Sequence, residues 1–527
     1  MNWIRKMALL IVMTVAVFQG LVSVADEIFK SGTGTLSIEL PLDQSHPLQK
    51  AVYGVNNLLI SRPLGYQHPG FIKAYEYAGC PVIRYPGGTS ANYINHMTGY
   101  FDIHKAAGFH VPEYERANRG ILKQKDGFQV EEFLGFVAET GARFNLVLNI
   151  CTMTYAENEA YMQRLQRAGA KLEFVELGNE LYYGGPNRGY GYFYPEASDY
   201  AVGMEKYAHM IRSYFPEAKI GVIIPAEIFQ HLDFTTEKQN RFGQWVTALQ
   251  KYDYYDAVIM HMYSKIGVSL KDGKQPAGYE EAYRNALSYM DSRFGHAVKK
   301  VKGYFPGKKI WVTEYALASV FGKDAKTAPF KDISQTHAGN LGACAFTLKL
   351  FSEASIELAS RHSFSGMVDL MDRKNLMSGG GRVVPNSVLD FFKLYSEVVQ
   401  GGDRFLTPLI QGGHTYTGNE DGEYPDIAAG YFFTENYGRL VLINKGVMEY
   451  TVGPITSDNT PATIVACRQI SPKRNLSIEE ALASKDAVKQ HELAQSELRN
   501  IILPPLSVTL ITLEQEPLAP DSIGLLK

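Results

Sequence analysis

The sequence predicts an α/β fold in which a (β/α)8 barrel, or TIM barrel, carries an accessory antiparallel β-sandwich. From residue 51 to residue 402, short apolar runs alternate with longer amphipathic segments, and this alternation is typical of parallel strands joined by helices. From residue 403 to residue 527, short strand-like runs are separated by turn residues instead, which indicates a β-sandwich. The chain of 527 residues is long enough for both domains.

Residues 1–25 have the pattern of a cleaved secretory signal peptide. Arg5 and Lys6 form a charged start, residues 7–18 are apolar, and Ser23-Val24-Ala25 is a small-residue cleavage site. The apolar run is too short to cross a bilayer as a transmembrane helix, although an uncleaved N-terminal membrane anchor is the alternative interpretation. We therefore expect a secreted or periplasmic protein with no membrane association after the signal is removed.

The composition gives no support for a nucleic-acid, metal or cofactor site. The formal net charge is −3 at pH 7, without the basic excess that nucleic acids and membrane surfaces attract. The four cysteines, Cys80, Cys151, Cys344 and Cys467, are far apart and lack the C-x-x-C spacing of metal sites. At most one or two disulfides could form, and no pairing follows from the sequence. We predict no metal and no cofactor.

Eight strand-like runs build the predicted barrel. They lie at residues 52–59, 82–85, 144–150, 172–177, 219–224, 257–263, 309–315 and 364–370. Helices are predicted between and after them at residues 130–140, 159–168, 198–214, 243–251, 280–297, 341–358 and 387–399. Ser198 is the predicted N-cap of its helix. This order places position 180 directly after the fourth strand and position 314 in the seventh.

The predicted sandwich includes a strand from the other end of the chain. Residues 34–40 alternate between apolar and polar side chains, as a half-buried strand does. We therefore assign residues 26–50 to the sandwich and expect residues 34–40 to pair with strands of the C-terminal domain. Further sandwich strands are predicted at residues 427–433, 439–443, 463–467 and 507–513, and residues 477–499 are predicted to be a charged, helical surface insertion.

Two of the predicted barrel strands end in glutamates. Glu180 stands in Gly178-Asn179-Glu180 after the fourth strand, and Glu314 stands in Thr313-Glu314-Tyr315 at the end of the seventh. The C-terminal ends of barrel strands meet at one face, where barrel active sites form. An acid that protonates a leaving oxygen and a carboxylate that faces an anomeric carbon are the groups that hydrolyse a glycosidic bond. The alternative is that both are ordinary strand-end carboxylates paired with lysine or arginine.

These motifs resemble those of the retaining glycoside hydrolases of clan A, nearest to the heparanase, arabinofuranosidase and xylosidase type families. The resemblance implies that Glu180 is the acid/base and Glu314 the nucleophile, with their carboxyl groups about 5–5.5 Å apart. The chain also departs from these families. Leu181 follows the acid/base where heparanase-like enzymes usually have proline, and the predicted eighth strand offers Met367-Val368-Asp369 where the clan frequently has tryptophan.

The resemblance assigns five further residues to the substrate site. Asn179 matches the amide that binds the sugar 2-hydroxyl, with capping of the turn as the alternative. Tyr263 matches the tyrosine that steadies the nucleophile, with a core tyrosine as the alternative. His261 is equally consistent with a substrate contact and with a supporting histidine. Arg84 precedes a Gly-Gly turn that is common in the clan, and Asn149 matches a position near the glycone.

A charge partner for Arg84 follows from strand alternation. Glu176 lies on the same side of its strand as Glu180, which directs it into the barrel. A buried carboxylate there needs a partner, and Arg84 is the candidate.

The expected function is therefore that of a secreted retaining glycoside hydrolase that cleaves a poly- or oligosaccharide by double displacement. The aromatic content of 12%, with 33 tyrosines, suits a protein that packs rings against sugars. A catalytically impaired carbohydrate-binding protein derived from such an enzyme is the alternative, and the two intact glutamates argue against it. A structural surface protein would explain the sandwich but not the paired strand ends. The exact family, the sugar, the linkage, endo or exo action and the oligomeric state stay open.

Overall fold

The computed structural model describes residues 33–56, 66–105, 115, 118–119, 130–183, 190–229, 236–264, 276, 278–317, 330, 333, 336–362, 368–371, 382–385, 387–417, 423–472, 478–483 and 488–514. The predicted signal peptide lies outside these ranges.

Eight parallel strands of the described chain close into a barrel, with neighbours hydrogen-bonded in chain order and the last strand paired to the first. They are β1 (Gly54–Asn56), β2 (Val82–Tyr85), β3 (Phe144–Leu148), β4 (Phe174–Leu177), β5 (Lys219–Ile223), β6 (Ala257–Tyr263), β7 (Lys309–Ala316) and β8 (Ile356–His362). Nearly every residue of these strands is buried, because helices cover one face and the barrel interior receives the other. The predicted (β/α)8 barrel is confirmed.

One long helix follows each strand in the part of the chain that the structure describes. They are α1 (Pro69–Tyr77), α2 (Val130–Thr140), α3 (Tyr155–Arg167), α4 (Ala197–Tyr214), α5 (Thr236–Leu249), α6 (Tyr279–Tyr304), α7 (His337–Phe351) and α8 (Ser387–Gly401). The start of α4 differs from the prediction, because Glu196 is the N-cap and forms a capping box with Asp199, which leaves Ser198 inside the helix.

The eighth strand lies earlier in the chain than predicted. The prediction at residues 364–370 is wrong, because β8 runs from Ile356 to His362. An apolar run from residue 341 looks like one helix to residue 358, but α7 ends at Phe351 with Ser352 as its C-cap, and the chain turns there into the strand. Val368–Met371 instead pairs with Arg382–Pro385 in a separate two-stranded sheet. In the first strand, residues 57–59 of the predicted run lie outside the described residues.

Two further sheets pack together as the accessory sandwich. One contains, in spatial order, His46–Pro47, Arg404–Leu406, Ile427–Phe433, Tyr437–Asn444, Ser507–Glu514, Thr463–Pro472 and Val488–Glu492. The other contains Leu409–Gln411, Thr33–Leu40, Glu449–Ser457 and Thr460–Pro461, with Ile502–Leu503 paired to Glu449–Ser457. Leu36, Leu440 and Leu513 belong to the apolar cluster that both sheets share.

The N-terminal strand and the predicted insertion add detail that the sequence did not indicate. Thr33–Leu40 runs antiparallel to Leu409–Gln411 but parallel to Glu449–Ser457, so one pair departs from the expected antiparallel order. The helical prediction for residues 477–499 is wrong for most of its length. Among the described residues of this range only Ile478–Ala483 is helical, whereas Val488–Glu492 is an edge strand on Thr463–Pro472.

Aromatic packing and ion pairs join the sandwich to the barrel. Phe351 at the end of α7 packs on Phe405 and Phe432, with ring centroids 5.9 and 5.3 Å apart. Asp291 on α6 accepts from Lys349 on α7 at 2.5 Å and from Lys445 of the sandwich at 3.2 Å. The two domains therefore share a continuous buried surface.

All four cysteines are free, with Cys344 and Cys467 buried and Cys80 and Cys151 half-buried. None of the helices in the described ranges has the length and apolar character needed to cross a membrane.

Candidate active site

Glu180 and Glu314 meet at the C-terminal end of the barrel. Glu180 lies three residues after β4, where positive φ angles of 82° at Gly178 and 52° at Glu180 turn the chain sharply. A left-handed non-glycine residue costs backbone energy, and such residues cluster at functional sites. Glu314 lies within β7 and is 6% exposed. A carboxylate oxygen of Glu180 and one of Glu314 lie within 4.8 Å of each other.

Arg84 on β2 connects the strands that carry these residues. Its Nε and Nη2 donate to the two oxygens of Glu176 on β4 at 2.8 and 2.6 Å, and its Nη1 donates to Glu314 Oε1 at 2.5 Å. Nη2 also donates to Asn179 Oδ1 at 2.8 Å. Arg84 and Glu176 are both fully buried, so the guanidinium is the charge partner that the sequence predicted for Glu176. Asn145 on β3 donates a further hydrogen bond to Glu176.

The surroundings of Glu314 keep its carboxylate ionised. Burial raises its pKa, but the nearby charges of His261, Arg84 and His362 and a hydrogen bond from the Tyr263 hydroxyl lower it, and the net pKa is well below the usual range for glutamate. Arg84 donates to one oxygen and Tyr263 to the other. The pKa of Tyr263 is raised well above its ordinary value, first by burial and then by Glu314, so the phenol remains a donor.

Gly88 brings the backbone of the β2 loop against the same carboxylate. A Cβ built at this position would lie 2.3 Å from Glu314 Oε1, a separation that no side chain could keep. The Gly-Gly turn after Arg84 therefore has a steric reason in this chain.

His261 on β6 lies between the two glutamates. Its Nδ1 is 3.0 Å from Glu180 Oε1 and 3.8 Å from Glu314 Oε2, and its Nε2 is 3.3 Å from Thr313 Oγ1. Burial lowers the pKa of His261, but the charge of Glu314 and the contacts with Glu180 raise it, with a net upward shift. The imidazole thus orients Glu180 and lies close to Glu314.

Asn179 is held in place by hydrogen bonds to Asn92 and Arg84, and its side-chain NH2 group is unpaired. Asn92 donates to the Asn179 carbonyl at 2.8 Å and accepts from the Asn179 backbone N–H at 3.0 Å. The side-chain oxygen of Asn179 accepts from Arg84, while its Nδ2 is buried without a hydrogen-bond partner. A buried amide nitrogen without a partner is uncommon.

Asn149, in contrast, uses its whole amide within the protein. Its Nδ2 donates to the Ile94 carbonyl at 2.6 Å and to Thr152 Oγ1 at 2.8 Å, and its oxygen accepts from the backbone N–H groups of Cys151 and Thr152. These contacts shape the loop after β3. The structure therefore brings Arg84, Asn179, His261 and Tyr263 together with the two glutamates and places Asn149 in a supporting loop.

His362, the last residue of β8, was missed by the sequence prediction because the eighth strand was misplaced. Its ring packs edge-on against Tyr263, with centroids 5.8 Å apart. Burial lowers the pKa of His362, and the charge of Glu314 opposes that shift. Asn92, whose contacts fix Asn179, was also not predicted.

One group of side chains in the described residues has the geometry of a metal site, namely Glu180, His261 and Glu314. Arg84 and Tyr263 already donate to the two oxygens of Glu314, and a guanidinium at that distance repels a cation. The donor set therefore suits an organic substrate better than a metal.

No family profile and no curated protein sequence matches the chain. Several solved structures share its fold. A family 51 arabinofuranosidase from Xanthomonas axonopodis pv. citri superposes with a TM-score of 0.64 at 17% identity, over 91% of this chain and 100% of that one. A family 51 α-L-arabinofuranosidase from Bifidobacterium longum gives 0.63 at 15% identity, over 92% and 100%. A family 44 xyloglucanase from Paenibacillus polymyxa gives 0.58 at 13% identity, over 92% and 100%. At these identities the likeness establishes a barrel with a sandwich domain as the fold of this chain.

Proposed function

We propose that the protein is a glycoside hydrolase that retains anomeric configuration, with Glu314 as the nucleophile and Glu180 as the acid/base. The observation that carries the proposal is the pair of carboxylates at the barrel mouth, with one oxygen of Glu180 and one oxygen of Glu314 within 4.8 Å of each other. Retaining enzymes place their two carboxyl groups about 5–5.5 Å apart, whereas inverting enzymes leave about 6.5–9.5 Å for a water molecule. The close spacing supports attack by a carboxylate.

The environments of the two glutamates support separate roles. Glu314 is buried, paired with Arg84 and ionised, as a nucleophile must be. It attacks the anomeric carbon, the glycosidic C–O bond breaks, and Glu180 gives its proton to the leaving oxygen. Water then enters, Glu180 takes one of its protons, and the oxygen attacks the anomeric carbon, which releases the sugar from Glu314. Glu180 is more exposed than Glu314, as an acid that exchanges protons with water requires.

The remaining contacts fit this sequence of steps. The free Nδ2 of Asn179 is positioned for a sugar hydroxyl beside the reacting carbon. His261 contacts Glu180 and lies 3.8 Å from Glu314, so it can orient the Glu180 carboxylate that remains after the first step, when Glu314 is esterified to the sugar. Tyr263 holds Glu314 in a single orientation.

The substrate class is a poly- or oligosaccharide. The neighbours of similar fold include arabinofuranosidases, a xyloglucanase and a bifunctional glucanase-xylanase, and these define a first panel of aryl arabinofuranosides, xylosides and glucosides with the matching polysaccharides. We further propose that the protein acts outside the cytoplasm after removal of residues 1–25, because the N-terminal sequence has the signal pattern.

Glutamine substitutions separate the two roles. Glu314→Gln should lower kcat by at least about 10⁴-fold on every substrate, because the attacking group is lost. Glu180→Gln should strongly impair substrates with alcohol leaving groups but spare formation of the glycosyl-enzyme from dinitrophenyl glycosides, which leave without a proton.

Glu173→Gln is the matched control, since Glu173 precedes β4 and forms an exposed pair with Arg143. Retention of full activity by Glu314→Gln would contradict the proposal. Sugar binding without hydrolysis by the wild-type protein would favour the carbohydrate-binding alternative.

A further inference from the structure

Asn56 at the end of β1 has an amide for which the structure shows no partner. The side chain is fully buried, and neither its Oδ1 nor its Nδ2 makes a hydrogen bond. Buried amides are nearly always hydrogen-bonded in folded proteins. An amide with both atoms unpaired inside the protein needs a bound ligand or water molecule as its partner.

The strand registers show which way this amide points. Asn56 is paired with Arg84 on β2 and with His362 on β8, and residues paired across neighbouring strands point to the same face of a sheet. Arg84 reaches Glu176 on β4 and Glu314 on β7, which is only possible through the barrel interior. His362 contacts Tyr263 on β6, two strands away, through the same interior. Asn56 lies between these two residues and so points inward with them.

This position lies on the nucleophile's side of the site. The strands run in the order β7, β8, β1 and β2 from Glu314 to Arg84, and Glu180 follows β4 beyond them. In a retaining reaction the glycone becomes attached to the nucleophile, while the leaving group is on the side of the acid. An inward group on β1 therefore faces the glycone.

We propose that Asn56 is a substrate-recognition residue whose amide binds two adjacent hydroxyl groups of the glycone. This inference rests on the proposed function and adds to it the sugar contact that selects the glycone. A carboxamide offers one N–H donor and one C=O acceptor side by side, which complements a pair of neighbouring hydroxyls. A carboxamide is also uncharged, so it places no third negative charge beside Glu176 and Glu314.

The test compares two variants with a matched control. Asn56→Ala removes the amide, and Asn56→Leu fills a similar volume without polar atoms. Neither breaks a hydrogen bond within the protein, so both should fold. Ser360→Ala is the control, because Ser360 lies two residues before His362 on β8 and its buried hydroxyl also has no partner.

The measurement is kcat/KM for the 4-nitrophenyl glycoside that the wild-type protein cleaves best and for its monodeoxy analogues. In Asn56→Ala, kcat/KM should fall by about 10- to 100-fold for the parent glycoside. It should fall much less for the analogue that lacks a hydroxyl contacted by Asn56. Ser360→Ala should follow the wild-type pattern. An equal loss of kcat/KM on every analogue, or no loss on any, would overturn the role of Asn56. Neither result would contradict the proposal that the protein is a glycoside hydrolase.

A binding readout keeps the inference testable if no glycoside is hydrolysed. Saturating L-arabinose, D-xylose and D-glucose are each added, and the shift of the melting temperature is measured. At least one sugar should stabilise the wild-type protein and the Ser360→Ala variant but not Asn56→Ala. The same shift in Asn56→Ala, or no shift in the wild-type protein, would overturn the inference. Absence of hydrolysis with the expected binding pattern would instead reject only the proposed reaction.

Discussion

Each oxygen of Glu314 receives one hydrogen bond, from Arg84 on one side and Tyr263 on the other. These donors hold the carboxylate in one orientation before substrate binds, so little reorganisation remains for the reaction. The pKa of Glu314 is lowered in spite of burial, by the charges of His261, Arg84 and His362 and by the Tyr263 hydroxyl. The ionised form therefore dominates throughout the neutral and mildly acidic range.

A change of Tyr263 to phenylalanine tests this arrangement through the pH profile. Without the hydroxyl, the pKa of Glu314 should rise, because the hydrogen bond that favours its charged form is lost. The acidic limb of kcat/KM should shift to higher pH, since activity needs the ionised carboxylate, and kcat should fall by about 10- to 100-fold.

Tyr315→Phe is the control for that variant. Tyr315 is the residue after Glu314, but its hydroxyl bonds Thr347 on α7, away from the site. Tyr315→Phe should lower the free energy of unfolding and leave the pH profile of kcat/KM unchanged. An unshifted acidic limb in Tyr263→Phe would mean that Tyr263 does not control the ionisation of Glu314.

At the residue scale, side chains next to a strand end were predictable and those fixed by distant chain segments were not. Arg84 and Glu314 lie in clear apolar runs, so strand order alone brings them to one face. Asn149 also ends a strand, but its amide is used up by the turn that follows. The roles of Asn92 and Asn56 depend on residues from distant parts of the chain that lie next to them in the fold. No local sequence pattern indicates those contacts.

At the scale of elements, β2, β4 and β7 are connected through one buried guanidinium. Arg84 satisfies Glu176 and Glu314, which lie on strands far apart in sequence. The sequence predicted these three strands because each is a short apolar run beside a turn. It misplaced β8, because apolar residues recur beyond Ser352, at Ile356 and Leu358, and only the helix end separates α7 from the strand.

Removal of the central guanidinium should destabilise the barrel. Arg84→Met leaves Glu176 and Glu314 buried without their positive partner, and we expect unfolding by urea to require about 3–5 kcal/mol less free energy. The double variant Arg84→Met, Glu176→Gln should recover part of that loss, because one of the two unpaired charges is gone.

Arg143→Met provides the comparison with an exposed pair. Arg143 bonds Glu173 with side chains that are 43% and 38% exposed, so its loss should cost only about 0–1 kcal/mol. Equal losses for Arg84→Met and Arg143→Met would contradict the structural role given to Arg84.

At the scale of the whole molecule, the barrel and the sandwich are joined through α6 and α7. Phe351 packs on Phe405 and Phe432, and Asp291 bridges Lys349 and Lys445. The fold class of each part was predictable because barrel and sandwich differ in the length and spacing of their apolar runs. The parallel pairing of the N-terminal strand was not, since alternation fixes the face of a strand but not its direction.

A chain that ends at residue 402 should therefore be insoluble. Truncation there exposes the aromatic and apolar surface of α7 and removes the partners of the N-terminal strand, and large exposed apolar patches promote aggregation. The soluble fraction after expression and the activity of that fraction are the measurements. A soluble, active barrel would show that the sandwich is dispensable for folding.

The central claim, that Glu314 attacks the sugar, is tested most directly by trapping the glycosyl-enzyme. A 2-deoxy-2-fluoro glycoside with a dinitrophenyl leaving group forms the covalent intermediate but releases it slowly, because fluorine destabilises both oxocarbenium-like transition states. Mass spectrometry of the digested protein should show one fluorosugar on the peptide that contains Glu314. A label on the peptide that contains Glu180, or hydrolysis with inverted configuration and no label, would contradict the account.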